Sequence, residues 1–393
     1  MKYVLTIIGV ICLLACSSEE TTRTGETASQ MRPIAFGDAY TVQPTRSSAV
    51  YSAEQGIGAN QSIGVYAYYH DDTRWSDAAV PNFMWNQQAT CQEKGGNFTY
   101  SPLKYWPNES SDKLSFIAYY PYTEESPGNP ESPAYPANAT GLQTLLANTG
   151  TGLPTFRFTV KEAEADQVDF LLSELLPNLP NGTNGVSPSE ANDRSGLTVT
   201  DHVRFLFHHM TSKVEFRIVA ADEVRDAIAH FDLTSLNVSN LYKNGMLTPT
   251  YSAGTTTYAW SEHTAKHGTA DTNPAYAFPL KTLTGYLFMP QQISNDVMLS
   301  ISYDVTFKSD GTTYTYDGSG NLVPQEDYTY SNSATIQLNT MKFTGSETPL
   351  TEWLPNHHYV YYIRIGARAI EFTGEVVEWG DTVPVNDIEI GES

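Results

Sequence analysis

The chain has 393 residues, 12% of them aromatic with 25 tyrosines, and a formal net charge of −22. A polypeptide this acidic repels phosphate backbones, which excludes electrostatic binding of nucleic acid. Of its three cysteines, Cys12 and Cys16 lie in the first residues and only Cys91 lies farther along. The processed chain therefore has no intramolecular disulfide, and its stability must come from core burial.

Residues 1–15 carry one positive charge, Lys2, and then an almost unbroken apolar run from Val4 to Leu14. The run is roughly a dozen residues, short of the about 20 needed to span a bilayer as a helix, so it reads as a secretory signal peptide. Leu13-Leu14-Ala15-Cys16 has the form of a lipobox. In such a site the cysteine takes a diacylglyceryl thioether and becomes the first residue of an outer-membrane lipoprotein. Buried acyl methylenes contribute about 0.8 kcal/mol each to membrane anchoring. Ser17-Ser18-Glu19-Glu20 follows directly. Acids so close to the cysteine resemble the export signal that carries some lipoproteins to the cell surface. Residues 16–33 are polar and rich in Ser, Thr and Glu, a flexible tether.

From residue 34 onward, short runs of Tyr, Phe, Val, Ile and Thr alternate with polar residues and are broken by Gly, Pro, Asn and Asp. That period of two predicts strands. In the first half they fall at 34–42, 63–69, 84–90, 96–100, 114–120, 155–160 and 168–173. Residues 174–200 are dense in Pro, Asn, Gly and Ser and read as a connection. In the second half strands are expected at 202–208, 213–220, 230–238, 286–290, 296–307, 312–316, 335–339, 358–365 and 369–378. One short helix is expected at 222–229, where Val224 and Ile228 stand four apart. About seven strands in each half is the count of a small β-sandwich. The expected organisation is an N-terminal β-sandwich domain at 34–195 and a C-terminal one at 196–393.

No constellation nominates a catalytic site, and the chain is not expected to be an enzyme. His208-His209 and His357-His358 are adjacent strand residues. Their side chains point to opposite faces, so neither doublet chelates one ion, and no metal or other cofactor is expected. His70-Asp71-Asp72 holds too few oxygens for calcium. Cys91 reads as a plain strand or hairpin residue.

The motifs that remain are unusual as an ordered set. They are Val65-Tyr66-Ala67-Tyr68-Tyr69, Phe83-Met84-Trp85-Asn86-Gln87, Phe98-Thr99-Tyr100-Ser101-Pro102, Lys104-Tyr105-Trp106-Pro107 and Leu114-Ser115-Phe116-Ile117-Ala118-Tyr119-Tyr120-Pro121. Val203-Arg204-Phe205-Leu206-Phe207-His208-His209, Ser212-Lys213-Val214-Glu215-Phe216, Met289-Pro290-Gln291-Gln292, Tyr359-Val360-Tyr361-Tyr362 and Val376-Val377-Glu378-Trp379 follow in the second half. In this order behind a lipobox, from residue 34 to residue 379, the chain resembles the fimbrillin family, the Mfa-like lipoproteins of type V pili. By themselves the same aromatics read as core packing, with a sugar-stacking platform as the sharper alternative.

The resemblance implies an all-β fold of two tandem transthyretin-like β-sandwich domains. It implies a precursor that a surface protease cuts after an arginine behind the first strand. Removal of that strand opens a groove, which a strand from another subunit fills. Arg46 fits the processing role, since Arg23 and Arg32 precede the strand; a solvated turn arginine is the plain alternative. The first strand offers Ile34, Phe36, Tyr40 and Val42, worth roughly 6–12 kcal/mol if all four are buried. In the tail, Val383, Val385, Ile388 and Ile390 make a candidate donor strand, although the two pairs are out of phase; a last strand of the protein's own sheet is the alternative. Expected partners are other fimbrial subunits, the outer membrane through the lipid anchor, and a host or bacterial surface receptor or glycan. The rival function is a monomeric surface glycan-binding lipoprotein.

Overall fold

The computed structural model describes residues 33–37, 40–43, 50–52, 57–71, 73–109, 111–124, 134–180, 202–261, 276–277, 286–309, 314–343, 348–366 and 370–377. Within them the protein is built almost wholly from strands, as the alternating pattern predicts. The one α-helix among them, Asp222–Arg225, is a single turn. It stops short of the expected 222–229 because strand pairing resumes at Ile228. No helix among the described residues is long and apolar enough to cross a membrane.

The N-terminal half is organised on a nine-stranded sheet. Its spatial order is Val50–Ser52, Tyr40–Gln43, Leu206–His209, Leu171–Ser173, Lys113–Tyr120, Ser62–His70, Met84–Cys91 and Phe98–Thr99, with Leu176–Pro180 also paired to Lys113–Tyr120. Its central strands are apolar on both faces. Ile63, Val65 and Ala67 join Leu114, Phe116 and Ala118 in one core, while Tyr66, Tyr68, Ile117 and Tyr119 point into a second. The close pairing of these two strands requires Gly64, because a Cβ there would fall 2.1 Å from the Tyr119 ring.

The second core is roofed by a sheet ordered Leu142–Thr144, Phe156–Thr159, Asn244–Ser252 and Thr255–Ser261. Its last two strands come from the C-terminal half of the chain. They form a hairpin that reaches back, pairing Leu247 with Phe156 and Asn244 with Thr159. The expected domains 34–195 and 196–393 therefore share a sheet. Leu206–His209 also belongs to the N-terminal sheet.

The rest of the C-terminal half is a sandwich. One sheet runs Tyr286–Phe288, Ser212–Ala220, His358–Ile365 and Ile370–Val377; the other runs Tyr276–Ala277, Ile228–Ser239, Met298–Phe307 and Tyr328–Gln337. Val214, Phe216, Ile218, Leu236, Leu299, Ile301, Tyr361 and Ile363 fill the space between them. Only Met210 and Thr211 separate the Leu206–His209 strand from Ser212–Ala220.

Three elements differ from the sequence reading for local reasons. Leu176–Pro180 falls in the segment read as a connection. It is a strand despite its prolines because it pairs along one side only, and Asn178 at φ 57° takes up the register shift. The hairpin at 244–261 carries Pro249, which demotes a strand reading. Pro249 pairs only with Tyr258, beyond the point where Phe156–Thr159 has ended. Tyr328–Gln337 runs well ahead of the expected 335–339 because its exposed first residues, Tyr328 to Tyr330, pair with Phe307 to Val305 along the full length of the neighbouring strand.

Candidate functional site

The first described segment, residues 33–37, lies between Phe98 and Val203. Phe36 bridges both, antiparallel to Phe98 and parallel to Val203. Four backbone hydrogen bonds hold it. The Ile34 N–H donates to the Lys104 carbonyl at 2.9 Å, and the Phe98 N–H to the Phe36 carbonyl at 3.0 Å. On the other side the Val203 N–H donates to the Ala35 carbonyl at 2.7 Å, and the Gly37 N–H to the Val203 carbonyl at 2.9 Å. Farther along, Tyr40 and Thr41 continue in parallel beside Leu206 and Phe207, while Thr41 to Gln43 pair with Val50–Ser52.

This segment joins the two sides of the N-terminal sheet. Without it the sheet is open between Phe98–Thr99 and the run 203–207. With it the strands form a ring around one core, to which each stave contributes an apolar side chain. Period-two alternation places Ile34 and Phe36 inward, 1% and 0% exposed. The Phe36 ring sits 5.1 Å from Tyr100, 5.6 Å from Phe205 and 6.1 Å from Phe116, centroid to centroid. Trp106 packs behind Phe116 at 5.9 Å. The Tyr100 hydroxyl donates to the Ile34 carbonyl at 2.8 Å. Burial raises the Tyr100 phenol above its ordinary range, so it stays a hydroxyl donor at neutral pH. At Gly37 the neighbours are tight: an added Cβ would meet His202 Cβ at 3.0 Å and Arg204 Cγ at 3.1 Å.

Ile34 and Phe36 thus stand together in the pocket. The backbone of Tyr40 and Val42 is a strand of the same sheet, and their side chains lie outside the described residues, as do Cys16, Arg46, Val383, Val385, Ile388 and Ile390. The pocket residues Tyr100, Phe205 and Phe98 were not singled out as a site by the sequence. The signal that could have found them is their repeated aromatic spacing beside a proline or a strand. The sequence predicts both Tyr105 and Trp106 to face the core. Trp106 does, at 3% exposure, but Tyr105 pairs with Pro33 and is 43% exposed.

The remaining sequence candidates resolve into packing. His208 Nε2 meets Glu174 at 3.0 Å, whereas His209 Nδ1 meets Asp169 at 2.7 Å. His357 Nδ1 donates to the Pro355 carbonyl at 2.8 Å, while His358 faces Glu215 at 3.3 Å. Each doublet is divided between two sets of partners, as alternation requires. Glu215 also accepts from Arg217 Nε at 2.7 Å. Burial pushes the Glu215 carboxyl up, but the hydrogen bonds from His358 and Arg217 outweigh it and hold the group below the usual carboxylate range. Cys91 is buried, its thiol directed at the Glu93 carbonyl in the turn that follows its strand.

A family model described as fimbrillin-like matches residues 45–379. No curated protein matches the sequence. Among solved structures, a fimbrial protein from Bacteroides vulgatus is similar at 17% identity and a TM-score of 0.54, covering 88% of this chain and 99% of its own. That likeness is one of fold. The tip fimbrial protein Mfa3 from Porphyromonas gingivalis aligns at 12% identity, 87% and 100% coverage and a TM-score of 0.35. A fimbrilin (fimA) from the same organism aligns at 10%, 87% and 98%, and 0.36.

Proposed function

This chain belongs to the fimbrillin-like family, and on that premise we propose that it is the precursor of a fimbrial subunit that assembles at the cell surface by strand exchange. It leaves the cell as a lipoprotein on Cys16. A protease cuts after Arg46, between the paired strands Tyr40–Gln43 and Val50–Ser52. The segment ahead of the cut then leaves its place in the sheet, and a strand of a neighbouring subunit enters. Assembled subunits act in adhesion.

One observation carries this reading: residues 33–37 are the sole described link between Phe98 and Val203. Their loss turns a closed ring into a sheet with two unpaired edges and an apolar slot lined by Tyr100, Phe116 and Phe205. Two buried apolar side chains are worth about 3–6 kcal/mol gross. An exposed slot with free backbone donors and acceptors recruits a strand, since filling it restores burial and ladder hydrogen bonds together. A contact in which one subunit gives and the next receives does not close on itself and grows as a filament.

The test is digestion of the full chain with an arginine-specific protease, followed by N-terminal sequencing and native size-exclusion chromatography. A new N-terminus at Ser47 with high-mass species supports the reading. A chain cut there that stays monomeric and binds polysaccharide overturns it in favour of the glycan-binding lipoprotein.

A further inference from the structure

Free backbone donors and acceptors at a sheet border recruit other strands, and proteins protect such borders with bulges, prolines, charges or covering groups. One sheet of the C-terminal sandwich is protected on both sides. At Tyr286–Phe288 the Gln167 side chain caps Leu287, accepting its N–H at 2.7 Å and donating to its carbonyl at 3.1 Å. At Ile370–Val377 the Gly374 N–H donates to the Lys342 carbonyl at 3.2 Å, and Phe343 bridges to Gly374.

The facing sheet ends in Tyr328–Gln337, where almost none of this protection is present. The ten residues include no charge, glycine or proline, in a chain of net charge −22. They pair with Met298–Phe307 without a register shift, so no bulge bends the edge away. The Leu338 N–H donates to the Val297 carbonyl at 2.9 Å, which puts the even-numbered residues in the ladder with Met298–Phe307. The backbone groups of Thr329, Ser331, Ser333 and Thr335 therefore point outward. Among the described residues these outward groups meet one cap, Asn332 Oδ1 at 2.8 Å from the Ser333 nitrogen. The Gln337 carbonyl is taken by the Thr340 hydroxyl at 2.7 Å, which ends the open stretch. Apolar surface lies along it. Tyr328 and Tyr330 stand opposite Phe307 and Val305, on the face turned to the core, yet they are 49% and 55% exposed.

We propose that this edge pairs with the same edge of a second copy of the chain, antiparallel about a two-fold axis at Asn332. Parity limits the register, because an outward residue exchanges hydrogen bonds only with an outward residue. With the axis at Asn332, Ser331 faces the second copy's Ser333 and Thr329 faces its Thr335. The four pairs so formed exchange about eight backbone hydrogen bonds. On the inward face Tyr328 meets the second copy's Ile336, and Tyr330 meets its Ala334, two aromatic–aliphatic pairs of the kind that stabilise sheets. An axis at Ser331 would set Tyr330 against Asn332, and one at Ser333 would set Tyr328 against the buried Leu338, beyond the strand. Hydroxyl pairing on the outward face is already the habit of this sheet, with Ser300 and Thr335 at 3.0 Å and Thr306 and Thr329 at 2.8 Å.

Charge and closure favour a second copy. In this register Asp327 faces Gln337 and Glu326 faces Leu338, so no like charges meet across the contact. Each favourable pair occurs twice, and the contact closes at two chains set side by side. About eight hydrogen bonds is close to the number in a standard interface, but one strand edge with its tyrosines is a small area, so the association is weak and reversible. It requires Asn332 to release the Ser333 N–H. It needs no proteolytic cut and is independent of strand exchange.

The experiment is sedimentation velocity on the uncut full chain from about 1 to 200 μM, a range that spans weak association. Wild type should pass from monomer to dimer with a dissociation constant on the order of tens of micromolar. Added salt should strengthen the dimer, since two chains of net charge −22 repel less when screened. Ser331→Lys with Ser333→Lys sets lysine against lysine on both sides of the axis and should weaken association about tenfold or more. Ser331→Lys with Ser333→Glu sets lysine against glutamate at the same places and should stay within about twofold of wild type. Both variants alter exposed residues, and matching thermal melts confirm equal folding. Wild type that stays monomeric throughout, or a dimer that the double-lysine variant leaves intact, overturns the pairing. A lysine–glutamate variant as weak as the double-lysine one overturns the register, because an axis at Ser331 or Ser333 would bring like charges together. Monomer that instead binds an extended peptide or a polysaccharide, and loses it in Tyr330→Ala, overturns the second-copy assignment.

Discussion

Phe36→Ala is the sharpest probe of how firmly the first segment is held. The side chain is wholly buried, with three aromatic rings within 6.1 Å of its own. Truncating a buried Phe to Ala costs about 3–5 kcal/mol, because the transfer energy is lost and a void remains. Two consequences follow. The uncut chain should be destabilised by up to that amount, read as a lower urea midpoint with an unchanged slope. Once the chain is cut after Arg46, the segment is held only by non-covalent contacts. The same energy then weakens its retention by about two to three and a half orders of magnitude. The assay is mass spectrometry of the main peak from size-exclusion chromatography at timed intervals after cutting. Wild type should carry the residue 16–46 fragment far longer than the variant. Tyr100→Phe, which removes the 2.8 Å hydrogen bond to the Ile34 carbonyl and the longer contacts of the same hydroxyl with the Lys104 backbone, should shorten retention by about two- to tenfold, in line with roughly 0.5–1.5 kcal/mol for one net hydrogen bond. If Phe36→Ala releases the fragment no faster than wild type, the pocket does not hold the segment and the ring is not closed by it.

Two further outcomes test other parts of the fold. Trp260 in the returning hairpin donates from Nε1 to the Met210 carbonyl at 2.8 Å and packs near Phe158 and Phe170. Trp260→Ala should cost about 3 kcal/mol and split a single calorimetric unfolding transition into two, because the hairpin ties the halves together; one unshifted transition would refute that role. The Glu215 carboxyl is held below its ordinary range in the folded state. Its stabilisation is therefore complete above the unfolded carboxylate pKa, about 4.3, and is lost as pH falls below it. Melting temperature should drop through that window, and Glu215→Gln should flatten part of the drop. An acid limb of equal steepness in the variant would show that Glu215 does not carry it.

Much of the fold was legible in the chain because two-residue alternation survives wherever one face is buried. The 358–365 strand falls on its expected residues, and 84–90 lengthens by one to Met84–Cys91. The returning hairpin was not legible, since Pro249 and the Thr255–Thr257 run resemble a polar loop; they pair only within the hairpin, which is anchored through Asn244 to Leu247 on the distant partner Phe156–Thr159. The site was half legible. Ile34 and Phe36 stand out by alternation, but the residues that receive them lie at 98–116 and 203–205, and only the fold brings those together. Gly37 has no side chain to mark it in the sequence, yet it is the residue that lets the strand approach Arg204.

Under the proposed strand exchange a subunit must lose its first strand and remain folded, and the two-core architecture is compatible with that. The N-terminal sheet separates two cores, and only one contains Ile34 and Phe36. The other face holds Tyr66, Tyr68, Tyr119, Phe156, Phe158, Phe170 and Leu247, and it is roofed partly by a hairpin from the far half of the chain. Hydroxyl contacts across that face, Tyr66 to Thr144 at 2.7 Å and Tyr119 to Asn86 at 2.6 Å, do not involve the first segment. Opening the ring exposes one face of a sheet whose other face stays packed. The central strands keep their neighbours on both sides, since Ser62–His70 remains between Lys113–Tyr120 and Met84–Cys91. The loss is confined to one edge of one core, while the C-terminal sandwich has its own core apart from it. A slot that is costly to leave empty, in a sheet whose other face stays packed, is what the proposed donor-strand assembly would require of each subunit.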